Sequence, residues 1–78
     1  MAKAKAYILI ETTTGQVKNV VAGVRGLPGL ISADAVTGPY DIIVVFEAED
    51  LSAVGDLVTE HVHTIGGIVR TVTCLAVT

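Results

Sequence analysis

Cysteine occurs once in this 78-residue chain, at Cys74, so no internal disulfide is possible. Cys74 lies in an apolar strand pattern and reads as a small buried hydrophobe; a reactive thiol needs a base or a helix N-terminus beside it. Basic residues are equally scarce. Lys3, Lys5, Lys18, Arg25 and Arg70 are scattered through a chain of net charge −3. Nucleic-acid binding needs a basic stripe to neutralise phosphates, so direct contact with nucleic acid is not expected. Long apolar runs are missing too. No stretch reaches the roughly 18 consecutive apolar residues of a membrane span, so no membrane partner is expected. The opening MAKAKAYILIE has two lysines and a short apolar run. That run stops at Glu11 and lacks a small-residue cleavage site, so it is not read as a signal peptide, and a cytoplasmic protein is expected.

Catalytic signatures are also wanting. EHVH offers Glu60, His61 and His63, but residues i and i+2 of a helix point to nearly opposite sides. Helical metal pairs use i, i+3 or i, i+4. GVRGLPG is not a G-x-G-x-x-G fingerprint and does not open a helix after a strand, so no phosphate loop is visible. Ser32 and Ser52 have no nucleophile-elbow context. The sequence therefore assigns no catalytic residue, no metal ligand and no cofactor.

What the chain does have is apolar surface. Hydrophobic residues make up 51%, and the mean hydropathy is +0.68. The length allows one domain at most. A chain this small buries a modest fraction of its surface when alone. The surplus points to self-association.

The order of elements follows from periodicity. Residues 4–11, AKAYILIE, read as a strand. Val17, Val20, Val21, Val24 and Leu27 fall at helical spacing, and Gly26 with the following Pro28-Gly29 ends that helix. Residues 30–37 alternate Leu30, Ser32, Asp34 and Val36 against Ile31, Ala33, Ala35 and Thr37, a strand with one more polar face. Gly38-Pro39 then turns the chain into an antiparallel strand, Tyr40 to Ala48. Asp50 is a helix N-cap, and Leu51, Val54, Leu57, Val58, Val62 and Ile65 form a second helical stripe ended by Gly66-Gly67. Residues 68–78 are the last strand. A weak repeat joins the halves: Val24-x-x-Leu27-Pro-Gly29 and Val62-x-x-Ile65-Gly-Gly67 both precede a strand. Two βαβ halves joined by a hairpin give an α+β, ferredoxin-like βαββαβ fold. It has a four-stranded antiparallel sheet with both helices on one face.

A sheet with one watered face should alternate polar and apolar. The strand Ile42–Phe46 does not, and Tyr7 to Ile10 repeats the pattern. A second sheet is the best cover for the open face, which gives a dimeric α/β barrel. Ile8, Ile10, Ile43 and Val45 are expected at that interface, although a run apolar on both faces does not say which face meets the partner. An ordinary monomer would show an unusually large apolar patch.

VTGPYDIIVVFEA places a carboxylate, Asp41, at the mouth of the most hydrophobic strand. One reading is structural: Pro39 suits position i+1 of a type I turn over Gly38–Asp41, with Asp41 bonding turn backbone. The other adds a ligand. The ammonium of a free amino acid needs a fixed carboxylate, and its carboxylate needs backbone N–H groups, which a glycine-containing turn can present.

The βαββαβ order, the loop VTGPYDIIVVFEA with Gly38-x-x-Asp41, and the closing IVRTVTCLAV together resemble the ligand-binding (RAM) domain of the Lrp/AsnC family over residues 4–77. The resemblance implies an amino-acid effector, bound at Gly38, Pro39, Tyr40 and Asp41, with Thr71 and Thr73 as weaker polar contacts whose ordinary reading is β-branched strand residues. It implies a homodimer that can build an octamer or another ring. The chain looks like a stand-alone version over residues 1–78, without the family's helix-turn-helix, that modulates transcription by assembling with full-length relatives. Two alternatives are an enzyme of the dimeric α/β barrel group, of monooxygenase or isomerase type, and an ACT-like amino-acid-binding domain that pairs sheets side by side. The enzyme would need a buried acid or base in a cleft.

Overall fold

The apolar runs of the sequence become the centre of the sheet. In a computed structural model, which describes residues 3–77, β1 (Ala4–Thr12) pairs antiparallel with β3 (Ile42–Ala48). β2 (Leu30–Ala35) flanks β3 and β4 (Ile68–Leu75) flanks β1, both antiparallel, in the order β2-β3-β1-β4. Helices α1 (Val17–Val24) and α2 (Leu51–Glu60) link the strands, and a 3-10 turn at Val62–Thr64 follows α2. The βαββαβ order is the expected one. Three strands are shorter than periodicity indicated, and β1 runs one residue further, to Thr12. β2 stops at Ala35, β3 starts at Ile42 and β4 stops at Leu75, and Thr78 lies outside the described residues.

Each helix starts where its stripe predicts but ends sooner, α1 before Leu27 and α2 before Val62 and Ile65. Val20 and Val24 are the buried face of α1, and Val54 and Leu57 that of α2. Asp50 caps α2, its carboxylate accepting the Ala53 N–H at 2.8 Å, a bond worth about 1 kcal/mol. These faces close over Ile8, Ile10, Ile42, Val44 and Phe46, with Val62 from the 3-10 turn. Among the described residues no polar or charged residue is buried.

Strand pairing settles the phase that an unbroken apolar run leaves open. Ile8 lies opposite Val44, and Ile10 opposite Ile42. All four are fully buried on the helix side. The expectation that Ile8 and Ile10 meet a partner sheet is therefore corrected: they belong to the core beneath the helices. Ile43 and Val45 point the other way, opposite Leu9 and Tyr7. Cys74 lies opposite Tyr7 and is exposed, so it is not the buried hydrophobe expected.

The alternation read in β2 is broken by a bulge. The register shifts between Leu30 and Ser32, which leaves Ile31 about half exposed, at 52%. Leu30 opposes Phe46 on the helix side, whereas Ser32 and Asp34 oppose Val45 and Ile43 on the open side. An inserted residue resets the two-residue period of a strand.

The weak repeat has structural content. Val24 and Val62 are fully buried, and Leu27 and Ile65 pack on the core. Leu27 N–H donates to Val24 C=O at 3.0 Å, and Ile65 N–H to Val62 C=O at 3.1 Å. Gly29 and Gly67 then take φ of +80° and +98°. Each carbonyl accepts from the other half of the chain, Gly29 from Glu47 N–H at 2.8 Å and Gly67 from Thr13 N–H at 2.9 Å. A Cβ at position 29 would run into the Glu47 carbonyl, so this latch needs glycine for space as well as for φ.

Candidate functional site

Asp41 stands where the chain enters β3. The type I turn expected over Gly38–Asp41 does not close. Asp41 N–H donates instead to Ile10 C=O at 2.9 Å, and Val36 N–H donates to Asp41 C=O at 2.9 Å. The result is a wider loop, with Gly38 at φ +141°.

The Asp41 carboxylate does not bond its own turn either. Its Oδ2 accepts from Thr12 N–H at 2.8 Å and from Thr12 Oγ1 at 3.3 Å. Ile10–Ile42 is the last registered pair between β1 and β3. Beyond it, a side-chain carboxylate takes over the role of a ladder carbonyl, with charge-assisted strength. These bonds account for an acceptor side chain at the mouth of an apolar strand. Among the described residues no hydrogen bond reaches Asp41 Oδ1.

Tyr40 extends the loop toward β4. Arg70 Nη2 donates to Tyr40 Oη at 3.2 Å, and the guanidinium carbon lies 5.4 Å from the ring centroid. Arg70 Nε is also 3.5 Å from Glu11 Oε1. Glu11 and Arg70 oppose each other in the β1–β4 ladder on the open side of the sheet. With side chains 60% and 42% exposed for Arg70 and Glu11, the ion pair adds little stability. The pair lies beside the loop, where Arg70 also meets Tyr40.

Thr71 and Thr73 oppose Ile10 and Ile8, on the helix side of β4. Thr71 Oγ1 shares a hydrogen bond of 3.2 Å with His63 Nε2. A cavity of about 400 Å³ adjoins them, lined by His63, Ile68, Val69, Arg70 and Thr71. Thr73 lies elsewhere, in an apolar groove against α2 lined also by Leu51, Val54, Gly55, Val58, Thr59 and Leu75. The structure thus brings Tyr40 of the loop to Arg70, which also lines the cavity of Thr71, and leaves Thr73 apart. Glu11, Thr12 and Arg70 were not among the site residues expected from sequence. The signal for Arg70 was present, since it and Asp34 are the charges inside otherwise apolar or neutral strands.

The second feature is the open face. Tyr7, Leu9, Ile43, Val45, Val72 and Cys74 share it. Tyr7 and Val72 are 37% and 36% exposed. Charges ring this apolar centre: Lys5 and Glu11 on β1, Asp34 on β2, Glu47 on β3 and Arg70 on β4.

No group of three or more His, Cys, Asp or Glu among the described residues is placed to hold a metal ion. His63 instead bonds Thr71, and His61 closes α2 through its backbone N–H to Leu57 C=O at 3.0 Å. No helix among the described residues is long and apolar enough to cross a membrane.

The family description "Lrp/AsnC ligand binding domain" matches residues 5–78. A solved protein of Thermus thermophilus, TTHA0845, is 29% identical, with a TM-score of 0.91 over 96% of this chain and 94% of that one. FFRP-DM1 is 30% identical, with a TM-score of 0.89 over 95% of this chain and 99% of that one. AsnC of E. coli shares the fold, with a TM-score of 0.91 at 20% identity, over 96% of this chain and 51% of AsnC. So does the Neisseria meningitidis transcriptional regulator NMB0573, solved in complex with L-Met, with a TM-score of 0.86 at 19% identity over 96% of this chain and 50% of that one. No curated protein matches the sequence.

Proposed function

The chain belongs to the Lrp/AsnC ligand-binding domain family, and on that premise we propose that it is an amino-acid-sensing regulatory domain that works through oligomer assembly. The observation that carries the reading is the divided use of Asp41. One carboxylate oxygen anchors the loop to Thr12, and on this reading the other meets a ligand ammonium. Gly38, Pro39 and Tyr40 form the rest of the loop that frames it. The regulator solved with L-Met supports the amino-acid class.

On this reading the open face meets the same face of a second copy, burying Ile43, Val45, Tyr7, Leu9 and Val72 and producing a dimeric α/β barrel. Arg70 and Glu11 stand at the rim of that contact, and Arg70 also touches the ligand loop. Binding at the loop therefore reaches the rim directly. A ligand that prefers the assembled form shifts the assembly equilibrium by its differential affinity. Larger rings, and association with full-length relatives, would need a further surface beyond this face and belong to the same proposal. Regulation of transcription would then run through those relatives.

A thermal-shift screen against the twenty amino acids at millimolar concentration tests this. A ligand at about 100 times its dissociation constant adds about 2.7 kcal/mol, a rise of several degrees in so small a domain. The rise should occur for one or a few amino acids and disappear in Asp41→Asn. A flat screen removes the sensor reading.

A further inference from the structure

We infer that the free edge of β4 pairs with the same edge of a second copy, joining two sheets side by side about a two-fold axis at Val72. The inference rests on the assembly part of the proposed function and supplies the further surface that larger rings need. β4 ends the sheet, and among the described residues no strand pairs with its outer side. The phase of that side follows from one bond: Ala76 N–H donates to Lys5 C=O at 2.9 Å. Hydrogen-bonded pairs alternate along an antiparallel ladder. Arg70, Val72 and Cys74 therefore turn their backbone groups to β1, opposite Glu11, Leu9 and Tyr7. Thr71, Thr73 and Leu75 turn theirs outward. Exposed edges are usually blunted by shortness, charge, proline or a bulge. β2, at the other end of the sheet, is short, bulged and carries Asp34. β4 has eight residues, no proline or lysine and one charge, and its register shift lies beyond the Glu11–Arg70 pair.

The strand itself says which partner fits. Read outward from Val72, it nearly mirrors itself: Thr71 answers Thr73, Val69 answers Leu75, and only Arg70 and Cys74 differ. Two copies run antiparallel about Val72 therefore set threonine against threonine, with the outward backbone groups of positions 71 and 73 exchanging hydrogen bonds. Val72 meets Val72, and Arg70 meets Cys74, so no like charges are opposed. Matched cross-strand pairs of this kind stabilise a sheet. The apolar groove of about 330 Å³ lined by α2 and by Thr73 and Leu75 runs along the same edge. Leu51 and Leu75 are 62% and 43% exposed there, so the second strand covers apolar surface as it pairs. One strand edge buries far less than the roughly 1,200 Å² of a stable interface, so the contact acts between dimers already joined by their open faces. Alternating two two-fold contacts links those dimers into a ring or an open chain.

Sedimentation velocity tests this through the mass. The wild-type protein should exceed the mass of two chains. Thr73→Pro removes an outward N–H and no bond to β1, a place where an edge strand tolerates proline. Its circular dichroism should match wild type and its mass should fall to two chains. The register is tested by two double variants that both lose the Thr71–His63 bond. Thr71→Lys with Thr73→Lys sets like charges opposite each other across the two-fold and should stop at two chains. Thr71→Lys with Thr73→Glu sets opposite charges there and should keep the larger mass. A wild-type mass of two chains, or an unchanged mass in Thr73→Pro, would overturn the edge contact and leave the face-to-face dimer standing. Equal masses of the two double variants would overturn the register about Val72. A wild-type mass of one chain would remove both the edge contact and the dimer.

Discussion

The two faces of one sheet are made of nearly the same residues and live in different surroundings. On β1, Ile8 and Ile10 are fully buried beneath the helices, while their neighbours Tyr7 and Leu9 look out from the bare side. On β3 the split repeats, with Ile42, Val44 and Phe46 inside and Ile43 and Val45 outside. Apolar burial stabilises by about 25 cal/mol per Å² wherever the cover comes from. The helix face draws that stabilisation from its own chain. The open face can draw it only from another surface, and its charged rim marks where that surface should stop.

The sharpest way to break this contrast is to damage each face in turn. Ile8→Ala, on the covered side, should cost about 2–5 kcal/mol through lost burial and a cavity, seen as a lower urea midpoint at every protein concentration. Leu9→Ala, one residue along, should cost less, and its cost should grow with protein concentration. Equal, concentration-independent losses would mean that the open face has no partner.

Val45→Asp attacks only the open side. Light scattering should show the mass falling to that of a single chain, with the far-ultraviolet circular dichroism unchanged. A smaller effect sharpens the comparison at the sheet's end. Asp41→Ala removes both bonds to Thr12 and should cost about 1–3 kcal/mol by urea titration. Asp41→Asn keeps an acceptor for Thr12 N–H and should cost under about 1 kcal/mol, yet abolish the amino-acid response. If Asn and Ala are equally destabilised and both still respond, Asp41 is structural alone. Least disruptive is Asp50→Ala, which loses the α2 cap for about 1 kcal/mol and should leave both mass and ligand response untouched.

Element order was legible in the sequence because helical stripes and strand runs have different periods and glycine pairs mark their ends. Phase was not, because Tyr7-Ile8-Leu9-Ile10 is apolar at every position, and a shift of one residue exchanges the two faces. A cue existed. Lys5 and Glu11 share parity with Tyr7 and Leu9, and Asp41 and Glu47 share parity with Ile43 and Val45, so charges at both ends of each series mark the side that is not core. The bulge at Ile31 left no such mark, since an extra residue in a six-residue strand looks like alternation out of step. At the site, Gly38–Asp41 was visible as a turn with a carboxylate. The link from Tyr40 to Arg70 was not, because it spans two strands whose adjacency only the sheet order reveals.

That order has a further consequence. β1 and β2 belong to the first half of the chain but do not touch, for β3 lies between them, and β1 in turn separates β3 from β4. The halves are interlocked like the fingers of two hands. Neither can complete a sheet alone, and the Gly29 and Gly67 carbonyls each close on the opposite half. Cleavage in the loop around Gly38 should therefore yield two fragments that are disordered apart and regain the fold when mixed. In the intact chain, the slowest-exchanging amides of both halves should open together, in a single event.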